Sequence, residues 1–166
     1  MLAIVLLVCT SCANSPYSAH NRGLMFHEDQ LDQEAEMAFL EAIQIDSKND
    51  ESWNQLGIIA FERDDLDLAE RRFQKAYQLN RLNAAYPRNL ALVFAKRDKF
   101  DMAKQLINKS LTLNPIDPAT HIAMGKICYL EGKTDQALES MRMALEIEPA
   151  NEEALQLSSR LQSLAN

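Results

Sequence analysis

Residues of one kind recur every 34 positions along this chain of 166 residues. Gly23, Gly57 and Gly125 lie on one 34-residue grid, whose remaining point is Ala91. Three further grids hold small or large apolar residues, with one serine: Ala35, Ala69, Ala103 and Ala137; Ala42, Ala76, Ser110 and Ala144; and Phe39, Phe73, Ile107 and Met141. A fixed period of this length indicates stacked copies of one supersecondary unit, because a single copy cannot bury its own apolar face.

Each period contains two amphipathic helical patterns. In the second period, Trp53 and Leu56 recur at a three-residue step, and Ala69 and Phe73 follow at a four-residue step. Asp50 stands before the first of these patterns and is predicted to cap the helix with its side-chain oxygen. No alternating pattern of strand type occurs. The sequence therefore predicts an all-α fold.

The second period also resembles a known family. The run from Trp53 to Gly57, followed by Ala69 and Phe73, is similar to the W-x2-L-G…A-x3-F pattern of the tetratricopeptide repeat (TPR) family. The resemblance implies a TPR α-solenoid of four helix-turn-helix repeats within residues 17–151, followed by a capping helix at 152–166. The four repeats are placed at 16–49, 50–83, 84–117 and 118–151. It assigns packing roles to Gly23, Ala35, Trp53, Gly57, Ala69, Phe73, Ala103, Gly125 and Ala137.

The first residues differ in kind from the repeats. An apolar run at 2–8 has the length of a signal-peptide core and is too short to cross a bilayer. Thr10 and Ser11 precede Cys12, which resembles the end of a bacterial lipobox. We therefore expect a signal peptide at 1–12, a short tether at 13–16 and lipidation of Cys12. A plain cleaved signal and a disordered tail are the alternatives.

Lipidation would determine where the protein resides. Ala13 and Asn14 follow Cys12, and neither is the aspartate that retains many lipoproteins in the inner membrane. The expected location is the bacterial cell envelope, on the periplasmic face of the outer membrane, held by a lipid anchor.

Composition and motifs argue against nucleic-acid binding and catalysis. The formal net charge is −7, whereas a phosphate backbone requires a basic surface. The spacing of His20 and His27 does not match a helical metal motif such as H-E-x-x-H, and no Gly-rich phosphate loop is present. Cys128 falls at a packing position and is predicted to be a buried, inert thiol. The sequence predicts no enzyme, no cofactor and no metal site.

The first helix of each TPR lines a concave groove, and by resemblance several side chains of this chain face it. The predicted partner-binding residues are Leu24, His27, Asn54, Ile58, Phe61, Arg88, Leu92, Lys126 and Tyr129. The apolar members suit an extended or helical apolar segment, with Arg88 and Lys126 fixing its direction. Under the alternative interpretation, Phe61 and Tyr129 are ordinary packing residues.

Three functions are open. The layout resembles the TPR lipoproteins of type IV and Tad (Flp) pilus systems, which implies a scaffold that assists assembly of a pilus or secretin. An envelope adaptor that tethers peptidoglycan enzymes is the second possibility, and a general TPR co-chaperone is the third. In each case the partner is a protein.

Overall fold

The computed structural model describes residues 15–165, and within them every regular element is an α-helix. The helices are α1 (Pro16–Glu28), α2 (Asp32–Ile45), α3 (Asp50–Glu62), α4 (Leu66–Leu79), α5 (Ala85–Lys96), α6 (Phe100–Leu113), α7 (Pro118–Leu130), α8 (Thr134–Ile147) and α9 (Glu152–Ala165). The all-α prediction is confirmed for this part of the chain. The predicted signal peptide and Cys12 lie outside the described residues. None of the described helices is long and apolar enough to span a membrane.

Two compact units make up the chain, and the boundary between them follows Asn80. In the first unit, α1 packs on α2 and α3 packs on α4, while α2 contacts α3. In the second unit, α5 packs on α6 and α7 on α8, and both helices of the first of these pairs contact α7. Helix α9 packs on α8, where Ala154 and Leu161 are buried against Met141.

A short polar side chain precedes the first helix of each pair. Ser15, Asn49 and Asp117 are N-caps whose side-chain oxygens accept hydrogen bonds from backbone N–H groups two or three residues later, at 2.8–3.3 Å. Asn83 and Asn151 make the same contact before α5 and α9, at 3.0 Å. These positions form another 34-residue grid, which the sequence analysis did not identify.

One helix start differs from the prediction. Asn49, and not Asp50, caps α3, because its side chain accepts from the N–H of Ser52 at 2.8 Å. Asp50 is the first residue inside that helix, where its negative charge stabilises the helix by interacting with the positive end of the helix dipole.

The glycine grid faces the grid of large apolar residues 16 positions later. A Cβ atom added at Gly23 would lie 2.5 Å from the Phe39 ring, and one at Gly57 would lie 2.6 Å from the Phe73 ring. Both distances are far below van der Waals contact, so each ring packs directly on helix backbone. In the third period the same grid points hold Ala91 and Ile107, so alanine replaces glycine on the first helix and isoleucine replaces phenylalanine on the second.

The turn inside each helix pair has a left-handed residue. Gln30, Asp64 and Asp98 have φ values of 57–61°, and Gly132 has a φ of 81°. The residue after each of them donates its backbone N–H to a carbonyl five positions earlier, at 2.8–2.9 Å. This is the hydrogen bond of a Schellman motif, which ends the first helix and reverses the chain.

Candidate partner-binding faces

Helices α1 and α3 present the predicted partner-binding residues of the first unit. Leu24 and His27 lie on α1, and Asn54, Ile58 and Phe61 lie on α3 at steps of four and three residues, which places them on one side of that helix. We call these five residues the unit-1 face. Four of them are half-buried, which leaves part of each side chain accessible.

Asn54 is the exception within the unit-1 face. Only 8% of its surface is exposed, and it already has an interaction within the protein. A buried amide is held by internal hydrogen bonds, so Asn54 offers little to a partner. Burial of this kind depends on the contact between helices and could not be read from its place in the repeat.

His20 connects α1 to α3 beneath this face. Its Nδ1 lies 2.8 Å from the Ser52 hydroxyl oxygen, and its Nε2 lies 3.6 Å from a Glu51 carboxylate oxygen. The ring also packs at a tilt on Phe39, with 5.5 Å between centroids. Burial lowers the pKa of His20, while the Glu51 charge opposes that change. His20 is therefore an internal residue, although its repeat position faces the groove.

The second unit presents the remaining predicted residues. Arg88 and Leu92 lie one turn apart on α5, and Lys126 and Tyr129 lie one turn apart on α7, which contacts α5. We call these four residues the unit-2 face. Tyr129 is the aromatic residue of this face, with 38% of its surface exposed. Leu92 is half-buried.

Both cations of the unit-2 face already have carboxylate partners. An Arg88 guanidinium nitrogen lies 2.7 Å from an Asp117 carboxylate oxygen, and both side chains are largely buried. Lys126 Nζ lies 2.5 Å from a carboxylate oxygen of Glu153 on α9. A partner that used either cation would have to compete with these ion pairs. The sequence gave no sign of these ion pairs, because Asp117 lies 29 residues after Arg88 and Glu153 lies on a different helix from Lys126.

Of the residues assigned to packing, all but the half-buried Trp53 are buried, and the tryptophan position has a further role. Trp53 Nε1 donates to the carbonyl oxygen of Ser47 at 3.0 Å. His121 occupies the same repeat position two periods later, and its Nε2 lies 3.4 Å from the carbonyl oxygen of Pro115, the equivalent of Ser47. Both rings therefore hold the loop before their helix. The buried packing residues are Gly23, Ala35, Gly57, Ala69, Phe73, Ala103, Gly125 and Ala137.

Cys128 is buried, as predicted. Burial raises the pKa of its thiol, which works against the thiolate that a nucleophile or redox cysteine requires. Its Sγ lies 3.9 Å from the side-chain oxygen of Gln136. The environment of Cys128 thus favours a packing role.

Two polar clusters in the first unit were not anticipated from the sequence. Glu36 accepts hydrogen bonds from Arg72, at 2.9 Å, and from Arg63. Burial alone would raise the pKa of Glu36, but the two arginines outweigh it and lower that pKa. In the second cluster, His27, Asp32 and Glu62 bring their ligand atoms within 4.8 Å of one another. Both clusters join residues from different helices, so no local sequence motif predicts them.

Paired helices of 12–14 residues, joined by Schellman turns and packed through a repeated glycine–ring contact, define an all-α TPR repeat fold. The TPR prediction for the fold is confirmed by comparison with known proteins. A family model described as tetratricopeptide repeat matches residues 119–151. No match was found among curated protein sequences.

Solved structures with the same fold come from diverse proteins. A chain of the APC/C hetero-tetramer Cut9–Hcn1 is 23% identical with a TM-score of 0.74 over 89% of this chain, which spans 30% of that chain. Pseudomonas aeruginosa pilF is 24% identical with a TM-score of 0.71, covering 91% of this chain and 69% of its own. YrrB, described as a TPR protein with an unusual peptide-binding site, is 18% identical with a TM-score of 0.67, covering 89% and 76%. At these identities the likeness concerns the fold.

Proposed function

We propose that this protein is a non-catalytic scaffold that binds a protein partner through the unit-1 and unit-2 faces. The observation that carries the proposal is that each unit has half-buried apolar side chains on its first helices, Leu24, Ile58 and Phe61 in one unit and Leu92 in the other. The similar fold of YrrB, whose description names a peptide-binding site, supports the same kind of function.

The chemistry of the two faces favours apolar recognition. Arg88 and Lys126 are paired with the carboxylates of Asp117 and Glu153, so each cation already has a counter-charge within the chain. Half-buried apolar and aromatic side chains are held in place by their neighbours, and such groups commonly dominate binding energy at protein interfaces. The expected partner segment therefore presents apolar side chains, with charge in a secondary role.

Alanine substitutions test the two faces separately. Phe61→Ala removes the aromatic side chain of the unit-1 face, and Tyr129→Ala removes that of the unit-2 face. Each is expected to weaken capture of an envelope partner by at least about tenfold, because an interface aromatic often contributes 2 kcal/mol or more. Met37→Ala and Met102→Ala are matched controls, since both methionines are exposed apolar residues on second helices. Wild-type binding by a folded Phe61→Ala/Tyr129→Ala protein would refute the proposal.

A finer assignment is also proposed: an outer-membrane lipoprotein that assists pilus or secretin assembly. The lipobox-like sequence ending at Cys12 and the structural likeness to pilF support it. Cys12→Ala is expected to release the protein from the outer membrane or to leave it unprocessed, because the described helices offer no span. Tight outer-membrane association of that variant, measured by fractionation, would contradict the lipid anchor.

Partner capture separates the pilus assignment from its alternatives. Cross-linking in envelope membranes, followed by mass spectrometry, is expected to recover a secretin or another pilus component with the wild-type protein. Recovery of peptidoglycan enzymes would instead support the envelope adaptor, and recovery of cytoplasmic chaperones would support the co-chaperone. The Phe61→Ala/Tyr129→Ala variant serves as the specificity control, because a true partner should be lost with it.

A further inference from the structure

The ends of three helices bring an imidazole and two carboxylates together in the first unit. His27 lies in the last turn of α1, Asp32 is the first residue of α2, and Glu62 is the last residue of α3. One ligand atom from each lies within 4.8 Å of the other two. His27 is also a member of the unit-1 face, but a role in partner binding does not explain why it lies beside Asp32 and Glu62.

The state of His27 points to a ligand at this place. Its Nδ1 is shielded from solvent and has no hydrogen-bond partner in the described part of the chain. The nearest carboxylate oxygen, of Asp32, is 3.6 Å away, which is too far for a hydrogen bond. An inaccessible imidazole nitrogen without a partner is unfavourable, so each such atom requires an explanation.

We propose that His27, Asp32 and Glu62 form a binding site for a divalent transition-metal ion, with Zn²⁺ as its best occupant. One imidazole nitrogen and two carboxylate oxygens are ligands that Zn²⁺ accepts at about 2.0–2.2 Å. Two atoms at that distance from one ion are at most about 4.4 Å apart. The carboxylates therefore have to move inward slightly, and Asp32 and Glu62 are accessible enough to do so.

Neighbouring charges are compatible with a cation here. Arg63 follows Glu62 in the chain, and its guanidinium donates to Glu36 and to the backbone carbonyl of Asp32 at 3.3 Å. The Arg63 guanidinium is thus directed to Glu36, which it shares with Arg72, and not to the Asp32 carboxylate, which is left for the site. A bound ion would join the end of α1 to the start of α2 and the end of α3, and thereby link the first two helix pairs.

Metal titration of the full chain tests the site. The N-terminal Cys9 and Cys12 also offer thiolates, so the parent protein carries Cys9→Ser and Cys12→Ser. Isothermal titration with Zn²⁺ is expected to show one saturable site, and Zn²⁺ is expected to raise the melting temperature with increasing concentration. Absorption of the Co²⁺ complex should lack the intense near-ultraviolet band of thiolate ligation.

Substitutions assign the ligands. His27→Ala, Asp32→Asn and Glu62→Gln are each expected to weaken Zn²⁺ binding by at least about tenfold, since loss of even an outer-shell partner has effects of that size. His121→Ala and Glu34→Gln, made in the same parent protein, are matched controls and should bind normally. Asp32→Asn and Glu62→Gln alter exposed groups, so they remain informative if His27→Ala fails to fold. The absence of saturable Zn²⁺ binding by the parent, or undiminished affinity in the folded ligand variants, would overturn the proposal.

Discussion

At the scale of single residues, the contact between a glycine and a ring 16 positions later explains two of the repeat grids at once. Gly57 is inside helix α3, where glycine is ordinarily less favourable than alanine by about 1 kcal/mol. Glycine occurs there because any Cβ would lie 2.6 Å from the ring of Phe73. Close approach between the helices therefore outweighs helix propensity at this position.

Gly57→Ala is accordingly expected to destabilise the protein by about 1–3 kcal/mol, because overpacking forces the Phe73 ring away from its position. Urea unfolding followed by circular dichroism measures the change. Combining Gly57→Ala with Phe73→Ile recreates the Ala91–Ile107 pairing of the third period, so the double variant should be more stable than the sum of the single effects predicts. A Gly57→Ala protein more stable than wild type would show that helix propensity dominates instead.

His20 predicts a dependence of stability on pH. Burial holds the folded-state pKa of His20 below its ordinary value of 6.5, so the unfolded chain takes up a proton first as the pH falls. The stability associated with neutral His20 is complete above pH 6.5 and is lost as the pH decreases toward the lower folded-state pKa. His20→Gln should flatten the urea midpoint between about pH 7 and pH 5, whereas His121→Gln should retain the wild-type slope. Identical slopes for wild type and His20→Gln would contradict this.

At the scale of helices and turns, the left-handed turn residues show a cost that one repeat avoids. Gly132 adopts its φ of 81° without strain, whereas Gln30 adopts a φ of 60° with a side chain. A left-handed conformation costs a residue with a Cβ about 1–2 kcal/mol. The other three turns have the same Schellman hydrogen bond but place a residue with a Cβ atom in the left-handed conformation.

Gln30→Gly is therefore expected to stabilise the protein by about 0.5–1 kcal/mol, the relief of strain being partly offset by the greater freedom of glycine in the unfolded chain. Gly132→Ala is the reciprocal control and should destabilise by a similar amount. Thermal and urea unfolding of both variants provide the measurement. If Gln30→Gly were clearly less stable than wild type, the Gln30 side chain would have to make a contribution that exceeds the backbone strain.

Glu36, Arg63 and Arg72 form a cluster that joins α2 to the end of α3 and to α4. Arg72 on α4 donates to Glu36 at 2.9 Å and to the backbone carbonyl of Leu56 at 2.9 Å, and only 11% of its side chain is exposed. Glu36→Gln keeps the shape but removes the charge, and is expected to destabilise by about 1–2 kcal/mol because charge-assisted hydrogen bonds become neutral ones. Glu34→Gln, on the exposed side of α2, should change stability by less than about 0.5 kcal/mol. Equal urea midpoints for the two variants would rule out a structural role for the cluster.

At the scale of the whole molecule, the two compact units predict where damage is felt. Gly57→Leu overpacks the first unit, and Gly125→Leu overpacks the second, where Met141 Cε lies within 2.1 Å of the added Cβ position. Because repeats contact mainly their neighbours, each variant should lose amide protection chiefly within its own unit. Hydrogen exchange with mass spectrometry resolves the two regions. A uniform loss across residues 15–165 for both variants would show instead that the chain unfolds as one cooperative body.

The sequence was sufficient for the fold, because its signals are local and repeated. The grids of glycine, of alanine and of large apolar residues such as Phe39 predict two helices in every period. The small residues predict where one helix approaches another closely. The cap at Asn49 is also readable from the sequence, but the prediction placed it one residue later, at Asp50. The candidate sites were less accessible to this reasoning. The pairing of Arg88 with Asp117, the burial of Asn54 and the gathering of His27 with Glu62 depend on contacts between helices that no periodic pattern encodes.

The spacing of the internal contacts also has a consequence for how the chain is made. Each ring meets its glycine 16 residues earlier, and the side-chain hydrogen bonds described above join residues no more than 36 positions apart. A segment leaving the ribosome would thus find its packing partners already synthesised, and short loops close quickly. Each helix pair can assemble during translation while the following one is still being added. Little apolar surface then has to wait exposed for a distant part of the chain.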